Sequence, residues 1–167
     1  MYCTAADVAN AATGSWEELA QRANPTGAGV DGELLRAAVA GDSLAEWPAE
    51  AQALAAEAAT RVADAIDSAG KHIDTYLFPR YRGVMPLAPE TIIASSLPAV
   101  CAAIALRRLY GASLPQELRD GTKWADDYLV NISKGIVSLG QVDTAVAQAP
   151  GRTVAKAPAK RFDWDAY

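Results

Sequence analysis

Few side chains in this sequence are of types that do chemistry, and their spacing limits what each can do. His72 is the single histidine. Asp67 and Asp74 are its neighbours in sequence, but His72 and Asp74 stand two apart on a helical stretch and face different directions. No serine or cysteine is matched to them as a nucleophile, so acid–base or triad chemistry has no visible constellation. A surface or interface histidine is the simpler reading. The string GAGVDG sets Gly27, Gly29 and Gly32 in a GxGxxG pattern. A dinucleotide site needs a strand before that pattern and a helix opening on its last glycine, inside a βαβ unit. Here polar residues and Pro25 precede it, and no repeating βα pattern follows. The same loop holds Asn24 and Asp31 but lacks the further carboxylates of a calcium loop, so it reads as a plain turn.

The two cysteines, Cys3 and Cys101, form no CxxC pair, and one histidine is too few to complete a zinc site. Cys101 lies in an apolar helical stretch and reads as a small core residue; a disulfide stays open, with nothing pointing to an oxidising compartment. Arg80, Arg82, Arg107 and Arg108 form the nearest thing to a basic cluster, with Tyr76, Tyr81 and Tyr110 interleaved. They suit DNA phosphates or an acidic neighbour; equally, arginine stems cover apolar surface while their heads pair with carboxylates. The residues thus predict no catalytic group, no cofactor and no metal: a protein that is not an enzyme.

The elements that position these residues are helices. Of 167 residues, 51% are apolar, much of that alanine, which has the highest helix propensity but buries little area. The core must rest on scattered Leu, Ile, Val, Trp and Tyr. Thr4 with Asp7, and Ser15 with Glu18, fit capping boxes for two short helices. Residues 24–32 form a loop, and 33–40 a further short helix ending at Gly41. Pro48 opens the longest helix, running to about Leu77. Its apolar stripe is Leu54, Ala58, Val62, Ile66, Ala69, Ile73 and Leu77.

Pro79 stops that helix, and residues 78–89 make an extended crossover because three prolines and a glycine oppose regular helix. A third major helix spans about 90–110, with apolar contacts from Ile93, Leu97, Val100, Ile104 and Leu109. Pro98 within it implies a kink or a late start. A fourth spans about 115–133, through Leu118, Trp124, Tyr128, Leu129 and Ile132. Residues 136–139 suit a short strand-like arm. Beyond Gly140 the chain turns to Ala, Pro, Lys and Gln with no apolar face, as expected of a flexible arm. That arm closes on Phe162, Trp164 and Tyr167, which either anchor in a partner's groove or fold back on their own domain. The expected architecture is all-α: a helical domain over 1–140, with a long central helix and extended crossover, and an Ala/Pro-rich C-terminal arm over 141–167.

Net charge is −5, which opposes a general nucleic-acid binder. It is unevenly spread: residues 1–70 hold 3 basic and 11 acidic side chains, and residues 71–134 hold 8 and 6. An acidic front and a mildly basic rear suit head-to-tail docking in an oligomer, or are simply a solvated surface. No secretory leader pattern opens the chain and no apolar run reaches membrane-spanning length, which predicts a soluble protein made in a cytoplasm.

Several segments in order resemble one phage family, the Mu gp36-like proteins. The opening MYCTAAD is similar to the family's Met-Tyr-x-Thr-x-x-Asp start. AIDSAGKHIDTYLFPRY resembles its helix ending in Ile-Asp-x-Tyr-Leu followed by Arg-Tyr, here Ile73, Asp74, Tyr76, Leu77, Arg80 and Tyr81. LPAVCAAIALRRLYG resembles its Arg-x-Leu-Tyr helix, at Arg107 to Tyr110 with the arginine doubled. ISKGIVSLG is similar to its Gly-x-x-Ser-Leu-Gly element, at Gly135, Ser138, Leu139 and Gly140. The likeness covers about residues 1–140 and is thinnest at 24–50, where 33–50 read as an elaboration; the tail does not align.

The resemblance implies a virion head–tail connector, or adaptor: a helical protein that forms a ring under the portal, commonly a dodecamer, joins capsid to tail and lets double-stranded DNA pass without sequence specificity. Its implied partners are the portal protein, tail or head-completion proteins and further copies of itself, with no membrane. Its place would be the head–tail junction, after synthesis in the host cytoplasm. On that reading Arg80, Tyr81, Arg82, Phe162, Trp164 and Tyr167 are the candidate interface. The competing expectation is a small cellular helical interaction module that forms a dimer.

Overall fold

A computed structural model describes residues 1–24 and 29–140. Helix α1 (Ala5–Ala11) opens on the expected capping box. Asp7 N–H donates to Thr4 Oγ1 at 3.2 Å, and Thr4 N–H donates to Asp7 Oδ2 at 2.8 Å. Helix α2 (Ser15–Ala23) departs from expectation, because Gly14 rather than Ser15 is its N-cap. Glu18 does reach back, accepting from Gly14 N–H at 2.7 Å. Ser15 is instead the first helical residue, at a left-handed φ of 51°. The three-residue link between α1 and α2 forces this: with Ala12 as the C-cap of α1 and only Thr13 and Gly14 left to turn the chain, Ser15 absorbs the bend.

Helix α3 (Gly32–Ala40) is capped by the Asp31 carboxylate, which accepts from Leu34 N–H at 2.8 Å, and it closes on left-handed Gly41. Helix α4 (Ala49–Tyr81) is the longest, with Pro48 as its N-cap. Its buried stripe contains Ala58, Val62, Ile66, Ala69, Ile73 and Leu77 as read from the sequence, while Leu54 is only half-buried and Ala55 takes the fully buried place.

Two expectations at the end of α4 are corrected. Pro79 does not stop the helix, and the crossover shrinks to residues 82–88. A proline removes one backbone donor and crowds the carbonyl four residues back. Here Pro79 and Thr75 are both on the exposed side, so that carbonyl is open to solvent rather than buried unpaired. The apolar register meanwhile runs on from Ile73 and Leu77 to Tyr81, which is fully buried. Burying a side chain of that size outweighs the loss of one solvent-facing hydrogen bond.

The predicted helix over 90–110 is two helices, α5 (Pro89–Ile93) and α6 (Leu97–Tyr110), with Pro98 in the first turn of the second. The late start is therefore the outcome. Ser95 makes the break: its hydroxyl donates to Ile92 O at 2.8 Å and accepts from Leu97 N–H at 3.2 Å. Ile93 is consequently 77% exposed rather than a core contact. After a single 3₁₀ turn (Gly111–Ser113), helix α7 (Gln116–Ser133) completes the bundle. Leu129 and Ile132 are buried, but Trp124 is 44% exposed. Residues 136–139 form no strand; no strand occurs among the described residues.

Helix α4 packs on α3, α6 and α7, and α6 packs on α1, α4 and α7. Residues 100–106 of α6 are buried without interruption, so that stretch of the helix is enclosed on every face, while Ala99 and Arg108 on either side of it are exposed. Its run Cys-Ala-Ala-Ile-Ala-Leu explains this. A helix apolar all round must be buried all round, and alanine lets neighbouring backbones close in. The core thus surrounds α6, with α4 as its longest wall.

Candidate interaction surface

Each predicted site residue falls in a different setting. Arg80 is half-buried and serves its own chain: Nη1 donates to Ile132 O and Val137 O, each at 3.4 Å, and the guanidinium lies 5.4 Å from the Tyr81 ring centroid. A cation beside the last carbonyls of α7 also suits the negative end of that helix. Tyr81 is a core residue with no exposed surface, so within one protomer it packs rather than presents. Arg82 is exposed. Phe162, Trp164 and Tyr167 lie outside the described residues.

The contacts of Arg80 bring the ends of α4 and α7 together. Two apolar side chains stand in water there: Phe78 is 58% exposed and Ile136 is 71% exposed. Phe78 and Arg82 are four apart and share one side of the helix end. This end of the bundle therefore offers exposed apolar surface beside a cation. Sequence reading found Arg82 and missed Phe78, which it had assigned to an extended crossover.

The arginines of the predicted basic cluster separate. Arg107 forms a bidentate pair with Asp126 of α7, at 2.6 and 2.8 Å. That pair holds the Asp126 carboxyl below the usual carboxylate range. Arg108 turns to α4, donating to Ser68 Oγ at 2.7 Å. There it joins Arg22 and Arg61 around a cleft of about 450 Å³ that also contains Asp64. Arg22 lies 4.3 Å from the Tyr110 ring centroid, and Tyr110 donates its hydroxyl to Glu18. Three arginines from three helices converge in a way that no local spacing announces.

His72 is half-exposed and meets Tyr76 edge-on, with ring centroids 5.2 Å apart. Asp74 points elsewhere, accepting from the Tyr2 hydroxyl, as the two-residue spacing implied. Burial, then the positive charge of Arg108, lowers the His72 pKa; Asp126 opposes this and Arg107 reinforces it. The folded value thus lies below the unfolded one near 6.5, and the unfolded chain takes up the proton first. Stability from neutral His72 is full above that range and is lost as pH falls through it. Between about pH 7.5 and pH 5.5, wild type should lose more Tm than His72→Gln. Equal losses in calorimetry would show that His72 does not contribute.

Of the GxGxxG glycines, Gly27 lies outside the described residues, and Gly32 is already engaged. Gly32 N–H, at the start of α3, already donates to the Glu17 carboxylate at 2.8 Å, and Asp31 caps the next free donor. Among the described residues, no group of three or more His, Cys, Asp or Glu is placed to hold a metal ion. Nor is any of their helices long and apolar enough to cross a membrane.

A family model described as "Bacteriophage Mu, Gp36" matches residues 2–157. The chain belongs to this family. The match takes in every segment whose order resembled the family, and it continues past Gly140 into the stretch that motif comparison left unaligned. Membership makes this a phage protein, and a structural component of the virion is the role it suggests. No curated protein and no solved structure matched the chain.

Proposed function

We propose that this Gp36-family protein is a head–tail connector, or adaptor, whose copies form a ring under the portal, join capsid to tail and let DNA pass. It acts by binding and not by catalysis. The observation that carries this reading is the exposed apolar and cationic end formed by Phe78, Arg82 and Ile136, in a chain whose family is phage. Exposed aromatic and aliphatic side chains beside an arginine are what a docking surface needs. That end would meet the portal or a neighbouring copy, and residues 141–167 would add contacts.

The acidic front supports the passage of DNA. Glu50 and Glu57 stand seven apart on α4, are exposed, and so share one outer side of the helix. Carboxylates facing a channel repel phosphate and let a duplex slide without sticking.

Light scattering on the purified chain, alone and with its cognate portal, tests the reading. A ring-sized mass, a dodecamer in the expected case, is the supporting result; a monomer or dimer that ignores the portal would overturn it. Phe78→Asp should weaken portal or self-association at least tenfold, about 1.4 kcal/mol, while leaving the circular-dichroism melt of the monomer unchanged. Unaltered association would remove this end of the bundle from the interface.

A further inference from the structure

Cys3 and Cys101 are separated by 98 positions, yet their Sγ atoms lie 2.8 Å apart. Both are free thiols and both are buried. Cys101 sits in the continuously buried stretch of α6. Cys3 belongs to the short segment ahead of α1, held in place by the Tyr2 hydroxyl on Asp74 and by the Thr4–Asp7 cap. A covalent S–S bond is about 2.05 Å long, so less than about 1 Å remains to be closed between the sulfurs.

The pair is also reachable. A cavity of about 520 Å³ opens between the N-terminal segment and α5, lined by Met1, Cys3, Leu87, Ile92 and Ile93 among others. Cys3 faces it, and Cys101 lies behind Cys3. The Cys3 thiol donates to Cys101, which favours ionisation at Cys101 and, with burial, holds the Cys3 thiol up. The two thiols thus lie in direct contact, so an oxidised sulfur on one has the other beside it to resolve it.

We propose that Cys3 and Cys101 are an oxidation site, at which a small peroxide entering the cavity converts the two thiols to an intramolecular disulfide that ties the N-terminal segment to α6. The Cys3 sulfur attacks hydrogen peroxide; an S–O bond forms, the O–O bond breaks, and the departing hydroxide takes the thiol proton as water. The Cys101 sulfur then attacks Cys3; the S–S bond forms, the S–O bond breaks, and hydroxide leaves with the Cys101 proton as a second water. Two thiols and one peroxide become one disulfide and two waters, the sulfurs supplying both electrons. In a glutathione-buffered compartment the pair stays reduced; outside one it closes. The disulfide closes a loop spanning 98 positions of the unfolded chain, so it should raise stability.

The full-length protein, treated with hydrogen peroxide and quenched, provides the test. Intact mass should fall by two hydrogens, thiols titrated in denaturant should drop from two to none, and Tm should rise by several degrees, reversed by a thiol reductant. Peptide mapping should find Cys3 joined to Cys101. Cys3→Ser and Cys101→Ser proteins should show no such mass loss and no rise in Tm. Two thiols surviving the treatment, added oxygen on Cys3 without a crosslink, or a disulfide only between chains would each overturn the proposal.

Discussion

Gly32→Ala is expected to destabilise the bundle by about 1–3 kcal/mol, or more if the backbone cannot give. On helix propensity alone the sign would be opposite, since alanine in place of glycine favours a helix by about 1 kcal/mol. The deciding fact is proximity. A Cβ on Gly32 would stand 2.7 Å from Glu17 N and 2.9 Å from Trp16 C, both backbone atoms of α2. No rotamer change relieves such a contact, so α2 and α3 must separate and the Gly32 N–H to Glu17 hydrogen bond must lengthen. Gly121 provides the control: it lies within α7, and nothing lies within 4 Å of the place its Cβ would take. Gly121→Ala should therefore be neutral or stabilising, by up to about 1 kcal/mol. Urea unfolding of both variants measures the contrast. Similar shifts in the same direction would mean that α2 and α3 do not approach as closely as described.

The second large effect is expected at Tyr81. It is the largest of the fully buried side chains, and truncation of a buried aromatic to alanine costs about 3–5 kcal/mol. Tyr81→Ala also removes the apolar anchor that holds the last turn of α4 together past Pro79, so the helix should fray back toward Leu77. Chemical denaturation should show the loss in stability, and far-ultraviolet circular dichroism a small loss of helix. Arg82→Ala, one residue on and exposed, should stay within about 0.5 kcal/mol of wild type. If the two variants were equally mild, Tyr81 would be a surface residue and the interface role expected of it from sequence would return.

That contrast marks what was legible in the sequence. The all-α class, the long helix with its stripe from Ala58 to Leu77, and the cap at Thr4 follow from local rules: period, propensity and capping geometry. The family resemblance was legible too, because it rests on order and spacing. Pro79 misled because its usual effect was weighed without knowing which side of the helix it faced. Ser15 misled because the length of the turn before α2 overrode a good capping sequence. Ile93 and Trp124 fit helical periodicity, but the break at Ser95 and the crossing of α7 over α6 turn them to water. The meeting of Arg22, Arg61 and Arg108, and of Cys3 with Cys101, depends on tertiary packing between distant segments, for which a single sequence has no local signal.

The length of α4 has a mechanical meaning. Its 33 residues, at about 1.5 Å of rise each, make a rod close to 50 Å long. Its lone proline sits in the last turn, so the shaft has no hinge along most of its run. A load applied where Phe78 and Arg82 project is carried as a rigid-body tilt to the far end, near Trp47 and α3, with no local rearrangement between. In a closed ring of such rods, each held by its neighbours, a push at one rim would be felt at the other as a change in the aperture.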